Sequence, residues 1–156
     1  MSEQVQQPIF GIEKIYVKDL SLEVPGAPMV YLDGNVPEIQ IQIGHAVQPM
    51  EGALFEVSLR VTVAGMVGDK AHFMVEVSQA GIFQATNVAE EDMGTLYGIV
   101  CPNVLFPYAR ETISDVVNRA GFPPVLLAPV NFEAIYQQQA AAATQPEAGP
   151  RIEIAH

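Results

Sequence analysis

Three histidines, one cysteine and one acidic run are the residues of this chain whose types invite chemistry. His45, His72 and His156 have no ligand partners at metal spacing, so each reads as a structural or surface residue. Cys101 has no basic neighbour close in sequence to activate it and reads as an inert buried thiol; as the single cysteine it excludes an intramolecular disulfide. Glu90-Glu91-Asp92 has the charge for a cation, but three acids opening a helical stretch suit the positive end of a helix dipole. No glycine-rich Lys-Ser/Thr loop is present to grip a nucleotide, and neither a serine-type nor a cysteine-type triad can be argued. The expectation is therefore no catalytic residue, no metal and no cofactor, with any work driven by binding or by a partner.

The elements that position these residues fall into two halves. Ile9 to Val24 is rich in β-branched and aromatic residues, and its apolar parity changes between Ile12 and Ile15 and again between Val17 and Leu20. One long strand with bulges or bends follows, since a bulge is what lets a strand switch faces. Pro25 to Asn35 then forms a crossover loop carrying the apolar run Met29-Val30-Tyr31-Leu32. Glu38 to Ile43, Leu54 to Val63, and the stretch holding Phe73, Val75 and Val77 alternate strictly, and Gly68-Asp69 between the last two predicts a hairpin. Four strands without an intervening helix predict an antiparallel meander with one apolar and one polar face. After residue 90 the period becomes helical: a first segment runs until Pro102 interrupts, and Asn103 caps a second, whose stripe is Leu105, Tyr108/Ala109, Thr112/Ile113, Val116/Val117 and Ala120. Gly121 ends that helix, and Asn131 caps a last one from Phe132 to about Ala142. The fold class is α+β, a four-stranded antiparallel sheet with two helices packed on one face. Residues 1–8 read as a flexible leader, 9–142 as one domain and 143–156 as a mobile tail.

Composition narrows the partners. With 7 Lys+Arg against 18 Asp+Glu the net charge is −11, which argues against nucleic acid and anionic membrane surfaces. The longest stretch without charge, the 17 residues Met93 to Ala109, contains two prolines and is too short to span a bilayer. The N-terminus lacks a basic n-region and an apolar h-region, so a cytoplasmic protein is expected. Yet 49% of the residues are hydrophobic. Either an oligomer hides the surplus or some of it stays open as a binding surface. Three apolar segments in loop-like positions, Met29 to Leu32, Val104 to Phe106 and Val125 to Val130, can frame a groove that does not close on itself.

Lys18-Asp19-Leu20-Ser21-Leu22-Glu23, Gln79-Ala80-Gly81-Ile82-Phe83, the string Cys101-Pro102-Asn103-Val104-Leu105-Phe106-Pro107-Tyr108-Ala109-Arg110-Glu111, and Leu127-Ala128-Pro129-Val130-Asn131-Phe132 occur in this order. Together they resemble SecB, the bacterial protein-export chaperone family, over most of the chain from Ile9 to Gln139. The resemblance implies a homotetramer, a dimer of dimers, that holds unfolded precursor proteins without ATP and delivers them to the SecA ATPase of the Sec translocase. It nominates Met29, Val30, Tyr31, Ile39, Ile41, Ile43, Leu105, Phe106, Leu126, Leu127, Phe132 and Ile135 for the substrate groove, some of which must be core. It maps a SecA-facing patch to Asp19, Glu23, Met74 and Glu76, and places Val75, Val77 and Gln79 where packing affects oligomer assembly. The crossover is poorer in bulky aromatics than the family pattern, and the alanine-rich tail beyond Gln139 does not match it. Two other readings remain: a SecB-like chaperone of a toxin-antitoxin system, and a small thioesterase-like enzyme with Glu111 or His45 converging on an apolar pocket.

Overall fold

A computed structural model of the chain describes residues 6–143 and 153–155. The alternating segments form four long strands, β1 (Ile9–Glu23), β2 (Glu38–Pro49), β3 (Leu54–Val67) and β4 (Lys70–Thr86). They pair antiparallel in the order β1-β4-β3-β2, and a three-residue strand, β5 (Glu153–Ala155), adds to the outer side of β2. The expected meander thus holds for β2, β3 and β4, whereas β1 pairs with β4 and not with β2. The crossover is what permits this, because it carries the chain from one edge of the sheet to the other. The stretch expected as tail also contributes: residue 143 closes the last helix and residues 153–155 form β5, while 144–152, 156 and the first five residues of the leader lie outside the described residues.

Both parity changes in β1 are β-bulges. Its register against β4 shifts between Ile12 and Lys14 and again between Val17 and Asp19. Each extra residue returns the following apolar side chains to one face, so Ile15, Leu20 and Leu22 lie opposite Gly81, Val77 and Val75. Gly68 has a φ of 62°, a left-handed value that glycine adopts without strain, and it turns β3 into β4 with Val67 opposite Lys70.

The helical half departs from expectation at Pro102. Instead of a break there is a continuous helical run: α1 (Glu90–Thr95), one π turn (Leu96–Val100), and α2 (Cys101–Arg119). A proline ring collides with the carbonyl four residues back, and the wider π turn ahead of Pro102 gives it room, so the helix bends its hydrogen bonding without ending. Pro107 sits inside α2, and Asn103 is a helical residue and not a cap. The end of α2 is as read: Gly121 has φ 89°, its N–H donates to Asn118 O at 3.1 Å and the Phe122 N–H to Val117 O at 3.2 Å, a Schellman closure. Asn131 caps α3 (Phe132–Ala143), its Oδ1 accepting the Ala134 N–H at 3.0 Å. A Cβ on Gly94 or Gly98 would lie 2.6 Å from Tyr136, so these two glycines let α3 lie against the first helical turns.

The core lies between α2 and the middle of the sheet. Leu105, Ala109, Ile113 and Val117, one per helical turn, meet Val57, Leu59, Val61 and Val63 of β3 and Val75 and Val77 of β4, all 0% exposed. Each such valine or leucine contributes roughly 1.5–3 kcal/mol on burial. The helix lies over β3 and β4 and is narrower than the sheet. The same apolar face therefore continues past it on both flanks, onto β1 on one side and β2 on the other.

Candidate functional site

On the β2 flank the uncovered face forms an open groove of about 430 Å³. Its floor is Ile39 and Ile41 of β2 with Phe73 of β4, its wall is the connector Phe122 to Ala128, and Val36 and Pro37 of the crossover form its lip. Phe73 reaches this floor because β3 carries a glycine opposite it: a Cβ on Gly65 would lie 2.4 Å from the Phe73 ring. The lip is aimed by Asp33, whose Oδ1 accepts the Asn35 N–H at 2.9 Å and whose Oδ2 lies 3.3 Å from Nε2 of the buried His72 on β4. The Asn35 N–H first, and His72 to a lesser degree, hold the Asp33 carboxyl below the usual carboxylate range. Its turn sends Val36 and Pro37 over the groove. His72, read from sequence as an isolated residue, thus ties down the crossover.

The wall is set by the end of α2. Phe122, the residue after the Schellman glycine, lies between Phe73 and Tyr31 with ring centroids 4.9 and 5.5 Å away. Tyr31 is fixed there by its hydroxyl, which donates to Ala120 O at 2.7 Å. Past Phe122 the connector presents Leu127 inward at 5% exposure and Leu126 outward at 83%. Val36, 90% exposed, faces solvent from the opposite lip. All the lining residues are uncharged and without a titratable side chain.

Four of the nominated residues, Ile39, Ile41, Leu126 and Leu127, line this groove. Tyr31 packs on Phe122 from outside the groove, Met29 and Val30 precede it in the short 3-10 turn Met29–Leu32, and Ile43 continues along β2 past Ile41. Leu105, Phe106 and Phe132 belong to the core and do not line it. Leu105 is 0% exposed and packs toward Gly81, at the far end of β4 from Phe73, and the Phe106 and Phe132 rings meet edge to face at 5.9 Å. Ile135 follows Phe132 on α3 against the same core. The resemblance nominates these side chains without separating groove from core, and packing against the sheet and against one another turns them inward. Phe73, Phe122 and Val36 were missed; the signal for Phe122 is its place between Gly121 and Pro123, where a bulky apolar residue cannot be helical core.

The residues nominated for a partner patch come together on the other face of the sheet. Register places Glu23 opposite Met74, Ser21 opposite Glu76 and Asp19 opposite Ser78, all pointing away from the helices. Met74 is 40% exposed, and Arg60 of β3 pairs with Glu76 at 3.1 Å. Val75, Val77 and Gln79, nominated for oligomer assembly, are buried at 0, 0 and 3% exposure and face Leu22, Leu20 and Val17 of β1 in register.

Among the described residues, the groove lining itself carries no acid, base or nucleophile. Glu111 lies in a neighbouring depression with Arg110, Asp115 and Asn118 on α2, which meets the groove at Pro124 and Leu126, and His45 stands on β2 opposite Leu59. Burial pushes the Cys101 thiol up to about 12, leaving it protonated and unreactive. Among the described residues no cluster of His, Cys, Asp and Glu can hold a metal, and no helix is long and apolar enough to cross a membrane. An open trough with an uncharged, apolar lining has the chemistry to take an extended apolar chain segment.

Comparison with known proteins agrees. The family model described as preprotein translocase subunit SecB matches residues 3–143. A protein-export protein SecB of Chromobacterium violaceum is 59% identical over 150 residues, covering 96% of this chain and 99% of its own. Its counterpart in Methylobacillus flagellatus is 57% identical, covering 87% of each chain, and that of Neisseria gonorrhoeae is 54% identical, covering 89% of this chain and 95% of its own. A SecB-like chaperone of Mycobacterium tuberculosis, solved in complex with a peptide from an antitoxin, shares the fold with a TM-score of 0.64 at 18% identity, covering 78% of this chain and 88% of that one. The chain belongs to the SecB family of protein-export chaperones, which are not enzymes.

Proposed function

We propose that the protein is a cytoplasmic holdase, a homotetramer built as a dimer of dimers, that binds unfolded precursor proteins in the groove of each protomer and passes them to SecA across the polar sheet face. The observation that carries this reading is the uncovered apolar trough bordered by Val36 and Leu126. Such a trough discriminates by folding state, since an unfolded chain offers long apolar stretches that a folded one has buried. Covering about 400 Å² of apolar surface yields some 10 kcal/mol gross at ~25 cal/mol per Å², before the bound segment is ordered. What remains per groove is weak. Several grooves on one assembly multiply the hold through effective concentration and keep it reversible.

The partner surfaces follow from the two faces of β1. Asp19, Glu23, Met74 and Glu76 form a mixed acidic and apolar patch fit to meet SecA. On the helix-facing side Ile12, Val17, Leu20 and Leu22 remain 40 to 50% exposed along an edge strand, which suits an interface between copies. Gln79, opposite Val17, donates to Tyr16 O at 3.2 Å while its Oε1 is buried without a partner among the described residues. The toxin-antitoxin reading rests on a likeness of fold alone, and the relatives at 54 to 59% identity are protein-export proteins.

Calorimetric titration with a reduced, unfolded polypeptide and, separately, with SecA tests both surfaces. Leu126→Asp, at a position 83% exposed and so harmless to folding, is expected to weaken polypeptide binding by about tenfold and leave SecA binding intact. Asp19→Lys with Glu76→Lys is expected to do the reverse. Undiminished capture by Leu126→Asp removes the groove from the account, and unchanged SecA affinity in the double variant removes the patch.

A further inference from the structure

The outer edge of β2 runs beside the groove, and the chain's own last strand occupies it. Gln40, Ile41 and Gln42 pair antiparallel with Ala155, Ile154 and Glu153, so the ladder stands against Ile41, a floor residue of the groove. An edge strand offers a row of backbone N–H and C=O groups to any extended chain, whatever its sequence. We propose that this edge is a strand-accepting surface continuous with the groove, and that Glu153–Ala155 is its resident occupant, a built-in competitor which an extended client polypeptide displaces.

Three features carry the assignment. The surface recognises backbone, which is what a chaperone of varied clients needs, while the adjoining floor of Ile39, Ile41 and Phe73 selects for apolar side chains. The occupying ladder spans three residue pairs only, far below the length of an independently stable strand, so it yields readily to a longer segment. Because the competitor belongs to the same chain, it acts intramolecularly, at an effective concentration on the order of mM, and is always available to close the edge after a client leaves. An empty apolar trough beside an open strand edge invites self-aggregation, and a resident strand covers that edge without committing it.

The inference rests on the groove reading above, and the experiment keeps the two apart. Ile154→Pro in the full chain removes an N–H and sets a proline inside the ladder, where it is not accommodated. The variant is expected to bind a reduced, unfolded polypeptide about two- to tenfold more tightly than the parent, because less of the site is self-occupied. In the absence of client, the amides of Gln40 to Gln42 should exchange faster with deuterium. A synthetic peptide of residues 150–156 added in trans should return the variant toward the parent's affinity. Unchanged or weaker polypeptide binding by Ile154→Pro overturns the proposal; if Leu126→Asp weakens binding in the same titration, the groove survives that failure. Should both variants bind as the parent does, the groove reading falls and this inference with it.

Discussion

Gly65 decides the shape of the groove by lacking a side chain. The Phe73 ring crosses β3 at the place where a Cβ would stand, so the floor can receive an aromatic ring from two strands away. Gly65→Ala sets a Cβ 2.4 Å from that ring and must push it outward by about 1 Å to reach van der Waals contact. The expected cost is about 1–3 kcal/mol, read as a lower urea midpoint at unchanged slope, accompanied by weaker polypeptide binding as the floor rises. Unaltered stability and binding would mean that the ring has room to move and that the glycine is incidental. Tyr31 shows the complementary case, in which a hydroxyl with one carbonyl partner holds a ring against Phe122 and so steadies the wall.

Elements act here through their irregularities. The second bulge of β1 leaves Lys18 free to donate to Glu56 Oε1 at 2.7 Å, and Tyr16 donates to Oε2 of the same carboxylate, so β1 is tied across β4 to β3. Lys18, then Tyr16, hold the Glu56 carboxyl below its ordinary 4.5, and burial together with the bond to Glu56 pushes the Tyr16 phenol up to about 12. A carboxyl with a depressed folded-state pKa stabilises the fold above its ordinary pKa and loses that contribution as pH falls through the folded value. Resistance to urea should therefore decline as pH drops below about 4.5, and Glu56→Gln should flatten that decline. An identical pH profile in the variant would show that other carboxylates govern acid sensitivity. The π turn before α2 is a second irregularity of this kind, since it keeps Pro102 inside the helix and so aligns Leu105 to Val117 over the sheet.

At the scale of the whole molecule, function follows from a mismatch of widths. A helical layer that covers β3 and β4 leaves apolar sheet face on both flanks, one concave beside the connector and one flat along β1. On the proposed reading the concave flank takes segments of varied sequence, because its lining is uncharged and nothing polar fixes their register. The flat flank, with an extended free edge, suits a second copy. Replacing Leu20 and Leu22 together with lysine sets two charges on that flank at positions 44 and 40% exposed, where the protomer fold tolerates them. The expected result is a lower solution mass by light scattering at the same concentration, with unaltered circular dichroism. An unchanged mass would move the contact between copies to another surface. The net charge of −11 keeps so apolar a chain dispersed and favours basic segments at low salt.

What could be read before any coordinates were the local patterns. Strict alternation located β2, β3 and β4, the double change of parity located both bulges of β1, and the stripe from Leu105 to Val117 with Gly121 located α2 and its end, because period, turn chemistry and capping depend on residues a few positions apart. Which apolar residues stay uncovered could not be read in this way, since Leu126 and Leu127 are neighbours of identical type and stand at 83 and 5% exposure. That difference is decided by where the helical layer ends over the sheet, as are the pairing of β1 with β4, the ring of Phe73 over Gly65 and the seat of β5 on β2. Burial is a property of surfaces brought together from distant parts of the chain, and only their assembly in space leaves one leucine in the core and the next in the open.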